Sequence, residues 1–252
     1  MADADTNRVA LVTGGSRGIG AAIAVRLAAE GADVALTYAS NPERATETLS
    51  QIKGFGRRGL LIQADQADPA QAAAAVDRVV DHFGRLDILV NNAGVWATGA
   101  IDDPDRDQVA FDRLLAVNLV GVVATVRAAA LVMADGGRII SIATAGAAAT
   151  RTPVAGLGDY FATKAAVAAY SKGWARDLGP RGITVNVVQP GPIESDMVPA
   201  GSELATDMAA LTVLGRIGQP SNVAAAVAFL ARVESDYITG TALTVDGGLQ
   251  TV

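Results

Sequence analysis

Short apolar runs alternate with helical patterns from one end of the 252-residue chain to the other, and this alternation constrains the fold more than any single residue. Arg8–Thr13, Asp33–Tyr38, Gly59–Ala64, Leu86–Asn91, Arg138–Ile142, Thr184–Val188 and Ala242–Val245 are short and flanked by Gly, Asp, Asn or Pro, so they read as strands. Helical patterns lie between them at Ile19–Glu30, Pro42–Lys53, Pro69–Phe83, Asp107–Val132, Tyr160–Leu178 and Ser221–Arg232. A helix between two strands returns the chain to begin the next strand parallel to the last, and both sheet faces are then covered. The expectation is α/β: a doubly wound parallel sheet of about seven strands with helices on both faces, forming a single domain over residues 1–252. Half the residues are hydrophobic but only 4% are aromatic, a composition that suits helices packed closely on a buried sheet. Gly191–Gly218 is the least regular stretch, with Pro192, Pro199, Gly201 and a short helical pattern, and it reads as a substrate lid.

Several classes of chemistry are excluded. The chain has no cysteine, so disulfides, thiol nucleophiles and thiolate zinc sites are absent, and the single histidine is His82. His82 precedes Phe83-Gly84 at the apparent end of a helix, a capping or surface position. The run Asp102-Asp103-Pro104-Asp105-Arg106-Asp107 reads as a loop and helix N-cap, and no metal site is expected. A net charge of −6 argues against nucleic acid or an anionic membrane as a partner. Residues 1–7 lack the pattern of a signal peptide, and no segment approaches the roughly 20 apolar residues that cross a bilayer, so a soluble cytoplasmic protein is expected.

Thr13-Gly14-Gly15-Ser16-Arg17-Gly18-Ile19-Gly20 lies between the first strand and the first helix. Gly14, Gly18 and Gly20 let backbone N–H groups and a helix N-terminus approach a pyrophosphate, so the turn is a variant of the Rossmann dinucleotide fingerprint spaced G-x-x-x-G-x-G. Tyr160 and Lys164 stand one helical turn apart. A free tyrosine, with a pKa near ~10, is a proton donor at neutral pH. A lysine charge beside it would favour phenolate and let it also accept a proton. Taken alone, the pair also fits an ordinary amphipathic helix.

Taken in order, the motifs resemble the short-chain dehydrogenase/reductase family across essentially the whole chain, most closely its 3-oxoacyl-acyl-carrier-protein reductase-like branch. They are Thr13–Gly20, Asp65, Asn91-Asn92-Ala93-Gly94, Asn118, Tyr160-x-x-x-Lys164, Pro190-Gly191-Pro192-Ile193, Gly215–Gly218 and Asp246-Gly247-Gly248. The resemblance implies a single-domain Rossmann fold and hydride transfer with Tyr160 as acid/base. It implies that Lys164 holds the nicotinamide ribose and that Asn118 anchors a water linking Lys164 to solvent. Asp65, with Gln66 beside it, would face the adenine. Asn91, Ala93 and Gly94 would line the cofactor bed, although Asn91 and Asn92 also suit local bonds that stabilise the turn. Pro190 and Gly191 would lead to Ile193 and Ser195 on the nicotinamide carboxamide. The family's substrate-binding serine is replaced by Thr144, which keeps a hydroxyl but adds a methyl and restricts χ1. The loop from Thr144 to Tyr160 is also longer than the family pattern and carries Gly146, Pro153, Gly156 and Gly158. Val95, Trp96, Leu157 and Met197 hint at an apolar pocket.

An acidic residue at the end of the second strand would select NAD. Tyr38 stands there, followed by Ala39, Ser40 and Asn41, while Arg17 and Ser16 lie in the glycine-rich turn. This favours NADP(H), with NAD(H) use left open. The expected reaction is NADPH-dependent reduction of a ketone or aldehyde to an alcohol. Reduction of 3-oxoacyl groups on acyl carrier protein is the rival. Arg181 is available for an acidic carrier, but Asp135 and the net charge are unfavourable. A non-catalytic NADP-binding sensor is the third reading, resting on Thr144. The resemblance also implies a homotetramer built on the two long helices, with Gly247–Val252 reaching a neighbouring subunit.

Overall fold

The structure is a computed structural model that describes residues 8–147, 155–196 and 198–251. Its strands are β1 (Val9–Val12), β2 (Asp33–Tyr38), β3 (Gly59–Gln63), β4 (Ile88–Asn91), β5 (Arg138–Ile142), β6 (Thr184–Pro190) and β7 (Ala242–Val245). They form one seven-stranded sheet in the order β3-β2-β1-β4-β5-β6-β7. Every pairing is parallel. The expected strands are those observed, with β2, β5 and β7 at the expected bounds.

The helices are α1 (Gly18–Ala29), α2 (Pro42–Gly54), α3 (Pro69–Phe83), α4 (Gln108–Leu115), α5 (Gly121–Val132), α6 (Gly158–Leu178), α7 (Glu203–Ala210) and α8 (Pro220–Ala231). Asn41, Asp68, Asp107 and Ser202 each accept a hydrogen bond from a first-turn N–H of α2, α3, α4 and α7, fixing where those helices begin. Gly84 ends α3 in the left-handed region at φ 83°, and the exposed His82 sits on its last turn, edge-on to Phe83.

Alternation along the strands divides the core. Val9 and Leu11 point to one face, beneath Val76 and Val79 of α3, Val122 and Val126 of α5 and Val167 of α6. Ala10 and Val12 point to the other, beneath Ile23 and Leu27 of α1 and Val223 and Val227 of α8. The chain leaves β1 toward β2 and β3 on one side, and continues from β4 toward β7 on the other. The ends of β1 and β4 therefore border the crevice where doubly wound sheets bind ligands.

Two expectations change. The helix expected over Asp107–Val132 is interrupted by a π-helical turn at Ala116–Val120, which separates α4 from α5. The run Gln108–Val132 is also long and apolar enough to cross a membrane, with a window of mean hydropathy 2.0, contrary to the sequence expectation. Much of that apolarity is used internally: Leu114, Val117, Val122, Val126 and Ala129 are buried.

Candidate active site

The glycine-rich turn is held by its neighbour after β4. Thr13 Oγ1 accepts from the N–H groups of Asn92 and Ala93 at 3.0 and 3.1 Å, and Asn92 Nδ2 donates to the carbonyls of Thr13 and Gly14, both at 3.0 Å. Gly14 has φ +64°, and a Cβ there would lie 2.9 Å from Ala93 Cα, so the two turns approach only because that side chain is missing. Gly20 is equally constrained, since its Cβ would meet the Gly14 carbonyl at 2.2 Å. Gly18 differs: at φ +54° it faces open space, with no described atom within 4 Å of a Cβ. Unlike α2, α3, α4 and α7, α1 starts without a side-chain cap among the described residues. Its first N–H groups and the open Gly18 fit a dinucleotide phosphate.

The π-turn positions Asn118, which is fully buried. Its Oδ1 accepts from Val95 N at 2.9 Å, while Nδ2 donates to Val95 O at 2.8 Å and Thr163 Oγ1 at 3.2 Å. The amide thus staples the segment after β4 to α6. Lys164, 5% exposed, donates from Nζ to Ile142 O at 2.9 Å. The same Nζ would be 3.1 Å from a Cβ on Gly94, so the ammonium lies against the glycine that ends the Asn-Asn-Ala-Gly turn. Burial holds it down to about 8.

Tyr160 opens α6 beside these groups and hydrogen-bonds the Thr144 side chain. Burial pushes its phenol up to about 12, with the Thr144 hydrogen bond acting in the opposite direction. The Lys164 ammonium is bonded to a backbone carbonyl, and burial is the larger influence on the phenol. Ser141, three residues before Thr144, is fully buried in β5 and accepts from Asn91 Nδ2 at 3.2 Å.

The remaining expected residues take the following positions. Asn91 is buried in the sheet against Ser141, so its side chain does not line the crevice. Gln66 is buried and donates to Thr125 Oγ1 of α5 at 3.1 Å. Asp65 is met by both terminal nitrogens of Arg113, at 2.8 and 2.9 Å, and these bonds hold its carboxyl below the usual range. Pro190 ends β6, Gly191 N bonds Val245 O at 3.0 Å, and the Ile193 side chain joins the core. Ser195 N donates to Val198 O at 3.1 Å, and its carbonyl and Oγ accept from Val198 N at 3.1 and 3.2 Å, closing a turn. Ser16 and Ile19 are half-buried in the glycine-rich turn, Ile19 against the core. Tyr38 packs half-buried at the end of β2, Ser40 is exposed, and Asn41 caps α2. Arg17 meets Asp196 at 2.6 Å. Arg181, read as available, is engaged by Asp135 at 3.0 Å and by the carbonyls of Ala130 and Met133. Of the four residues suggested for an apolar pocket, Leu157 is buried, Val95 bonds Asn118, Trp96 is 42% exposed, and Met197 lies outside the described residues. Pro153 lies outside them too. Arg44, Arg106, Arg113, Asp159 and Asp196 were not singled out in the sequence, because their partners are distant along the chain or bear no motif.

The comparisons with known proteins agree with this geometry. A family model described as enoyl-(acyl carrier protein) reductase matches residues 14–250. The 3-oxoacyl-[acyl-carrier-protein] reductase FabG of Staphylococcus aureus is 41% identical over 243 residues, covering 95% of this chain and 97% of that protein. The cyclic-di-GMP-binding biofilm dispersal mediator protein of Escherichia coli is also 41% identical, over 242 residues, with 96% and 97% covered. A crystal structure of a short-chain dehydrogenase from Burkholderia cenocepacia in complex with NADP is 49% identical with a TM-score of 0.93, covering 97% of this chain and 98% of that one. The chain belongs to the short-chain dehydrogenase/reductase family and is an oxidoreductase of that family.

Proposed function

We propose that the protein is an NADPH-dependent reductase of a ketone or aldehyde that also runs in reverse on the alcohol. The observation that carries this reading is the hydrogen bond between Thr144 and Tyr160, next to the buried Lys164. A threonine that aims its hydroxyl at the acid/base tyrosine can take the serine's role on the substrate oxygen.

NADPH held in the crevice would supply the hydride. Tyr160 gives its proton to the carbonyl oxygen as charge develops there, a role worth ~10²–10⁴-fold. Thr144 donates to the same oxygen. Lys164 orients the ribose and restores the proton. Asn118 commits its amide to Val95 and Thr163, and it would anchor a relay water to Lys164 as the family resemblance implies. The uncapped start of α1 and the open Gly18 suit the pyrophosphate. Preference for NADPH is supported by the lack of an acid at Tyr38, Ser40 and Asn41 and by Arg17 nearby. Residues 191–218 serve as the lid, and the chain works as a homotetramer, in keeping with exposed Val109 and Leu131 on α4 and α5 and Tyr170 on α6.

Likeness to FabG keeps the acyl-carrier reading as the alternative, but Arg181, its docking cation, is engaged within the chain. Likeness to a cyclic-di-GMP-binding protein raises a sensing role, against which the intact Thr144–Tyr160 arrangement counts. The test is oxidation of NADPH and NADH over ketones, aldehydes and 3-oxoacyl thioesters, with Tyr160→Phe as control. Turnover lost in the control supports a reductase, and the best substrate class decides between the first two readings. Tight coenzyme binding without turnover on any substrate overturns the catalytic reading.

A further inference from the structure

Three elements distant in sequence converge on one oxygen at the mouth of the crevice. Arg17 Nη1, from the glycine-rich turn, lies 2.6 Å from Asp196 Oδ2, and Arg44 Nη1, from the first turn of α2, lies 2.5 Å from the same atom. Asp196 belongs to the segment between β6 and α7. Two guanidiniums sharing one carboxylate oxygen carry more positive charge than that carboxylate neutralises. They stand beside the end of β2, where a doubly wound sheet receives the adenosine ribose. The three side chains are half-exposed, at 57%, 44% and 51%, so the contact itself contributes little to stability.

We propose that Asp196 is an internal occupant of the subsite for the coenzyme 2′-phosphate, with Arg44 a second cationic ligand beside Arg17, so that Arg44 and Asp196 set the discrimination between NADP(H) and NAD(H). This rests on the coenzyme reading above. A phosphate monoester brings about two negative charges at neutral pH and three acceptor oxygens, enough for both guanidiniums. It cannot share them with a carboxylate at contact distance, so Asp196 leaves when the phosphate enters. The uncharged ribose 2′-hydroxyl of NAD(H) has no such advantage and leaves the clasp closed. The start of the 191–218 segment is therefore released from α2 by one coenzyme and not by the other.

The experiment is calorimetric binding of adenosine 2′,5′-bisphosphate and of adenosine 5′-monophosphate to the full chain and to D196N, R44Q and R44K. D196N is expected to tighten the bisphosphate about two- to fivefold, the strength of an exposed ion pair, and to leave the monophosphate unchanged. R44Q is expected to weaken the bisphosphate about tenfold or more and the monophosphate less than about twofold, with R44K recovering part of the loss. Thermal unfolding checks that the variants fold, and D196N tests the idea by itself if R44Q does not. The proposal is overturned if D196N leaves bisphosphate affinity unchanged or lowers it, or if R44Q weakens both ligands equally. Failure of the unsubstituted protein to bind either ligand would overturn the coenzyme reading, and this proposal with it.

Discussion

The Arg106 guanidinium lies 2.6 Å from the carboxylate of Asp159, the residue immediately before Tyr160, and 4.3 Å over the Phe111 ring. With the bond from Gly99 N to Gly156 O at 3.0 Å, it ties the segment after β4 to the first turn of α6. Tyr160 is thus braced from both sides, by this ion pair and by the Asn118 staple to Thr163. Arg106→Gln is expected to lower kcat about three- to tenfold while coenzyme affinity stays constant, because the phenol is less well placed and the crevice floor is untouched. Asp159→Asn should do the same, and the double variant should be no worse than either, measured by steady-state kinetics with coenzyme titration.

Thr144 separates loss of the hydroxyl from a change of shape. Thr144→Val keeps the branched volume and is expected to cost about 10²- to 10³-fold in kcat. Thr144→Ser removes only the methyl and should stay within about fivefold of the parent. Loss in Thr144→Ser with activity kept in Thr144→Val would mean that the methyl, not the hydroxyl, is what the site needs.

Stability should depend on pH through Lys164. Its folded pKa, about 8, lies below the 10.5 of an unperturbed lysine, so between these values the unfolded chain binds more protons and stability rises with pH. Tyr160, raised from 10.0 to about 12, acts oppositely: stability falls as pH rises above 10. Lys164→Met removes the first effect. Relative to this variant, the parent should gain up to about 3 kcal/mol between pH 8 and 10, read from denaturant unfolding at several pH values. A constant difference across that range would show that the ammonium is not desolvated.

Gly121 opens α5 against the loop after β3, where a Cβ would lie 1.9 Å from the Gln66 carbonyl. In an open helix Gly→Ala stabilises by about 1 kcal/mol. Here the neighbour is backbone, so Gly121→Ala is expected to destabilise by about 2 kcal/mol or more. Gly18→Ala meets no described atom, so its cost is limited to the positive φ. Urea unfolding of both variants checks the contrast.

The sequence by itself determined the strands, most helix ends and the motifs, because these follow from local physics. Short apolar runs make strands buried on both faces, oxygen caps start helices at Asn41, Asp68 and Asp107, and Gly84 ends one. The glycine spacing before α1 and the Tyr160–Lys164 step are likewise local, so they could be read before any contact was known. Only the tertiary structure decided what those side chains do. A π-turn inside an apparently continuous helix brings Asn118 to Val95 and Thr163, and burial raises the Tyr160 phenol. Asp65 is taken by Arg113 across 48 residues, and Arg17 by Asp196 across 179. Pairings at such separations depend on how the crossovers bring the loops to one edge of the sheet, and on which charges are desolvated there, and neither is written in residue order.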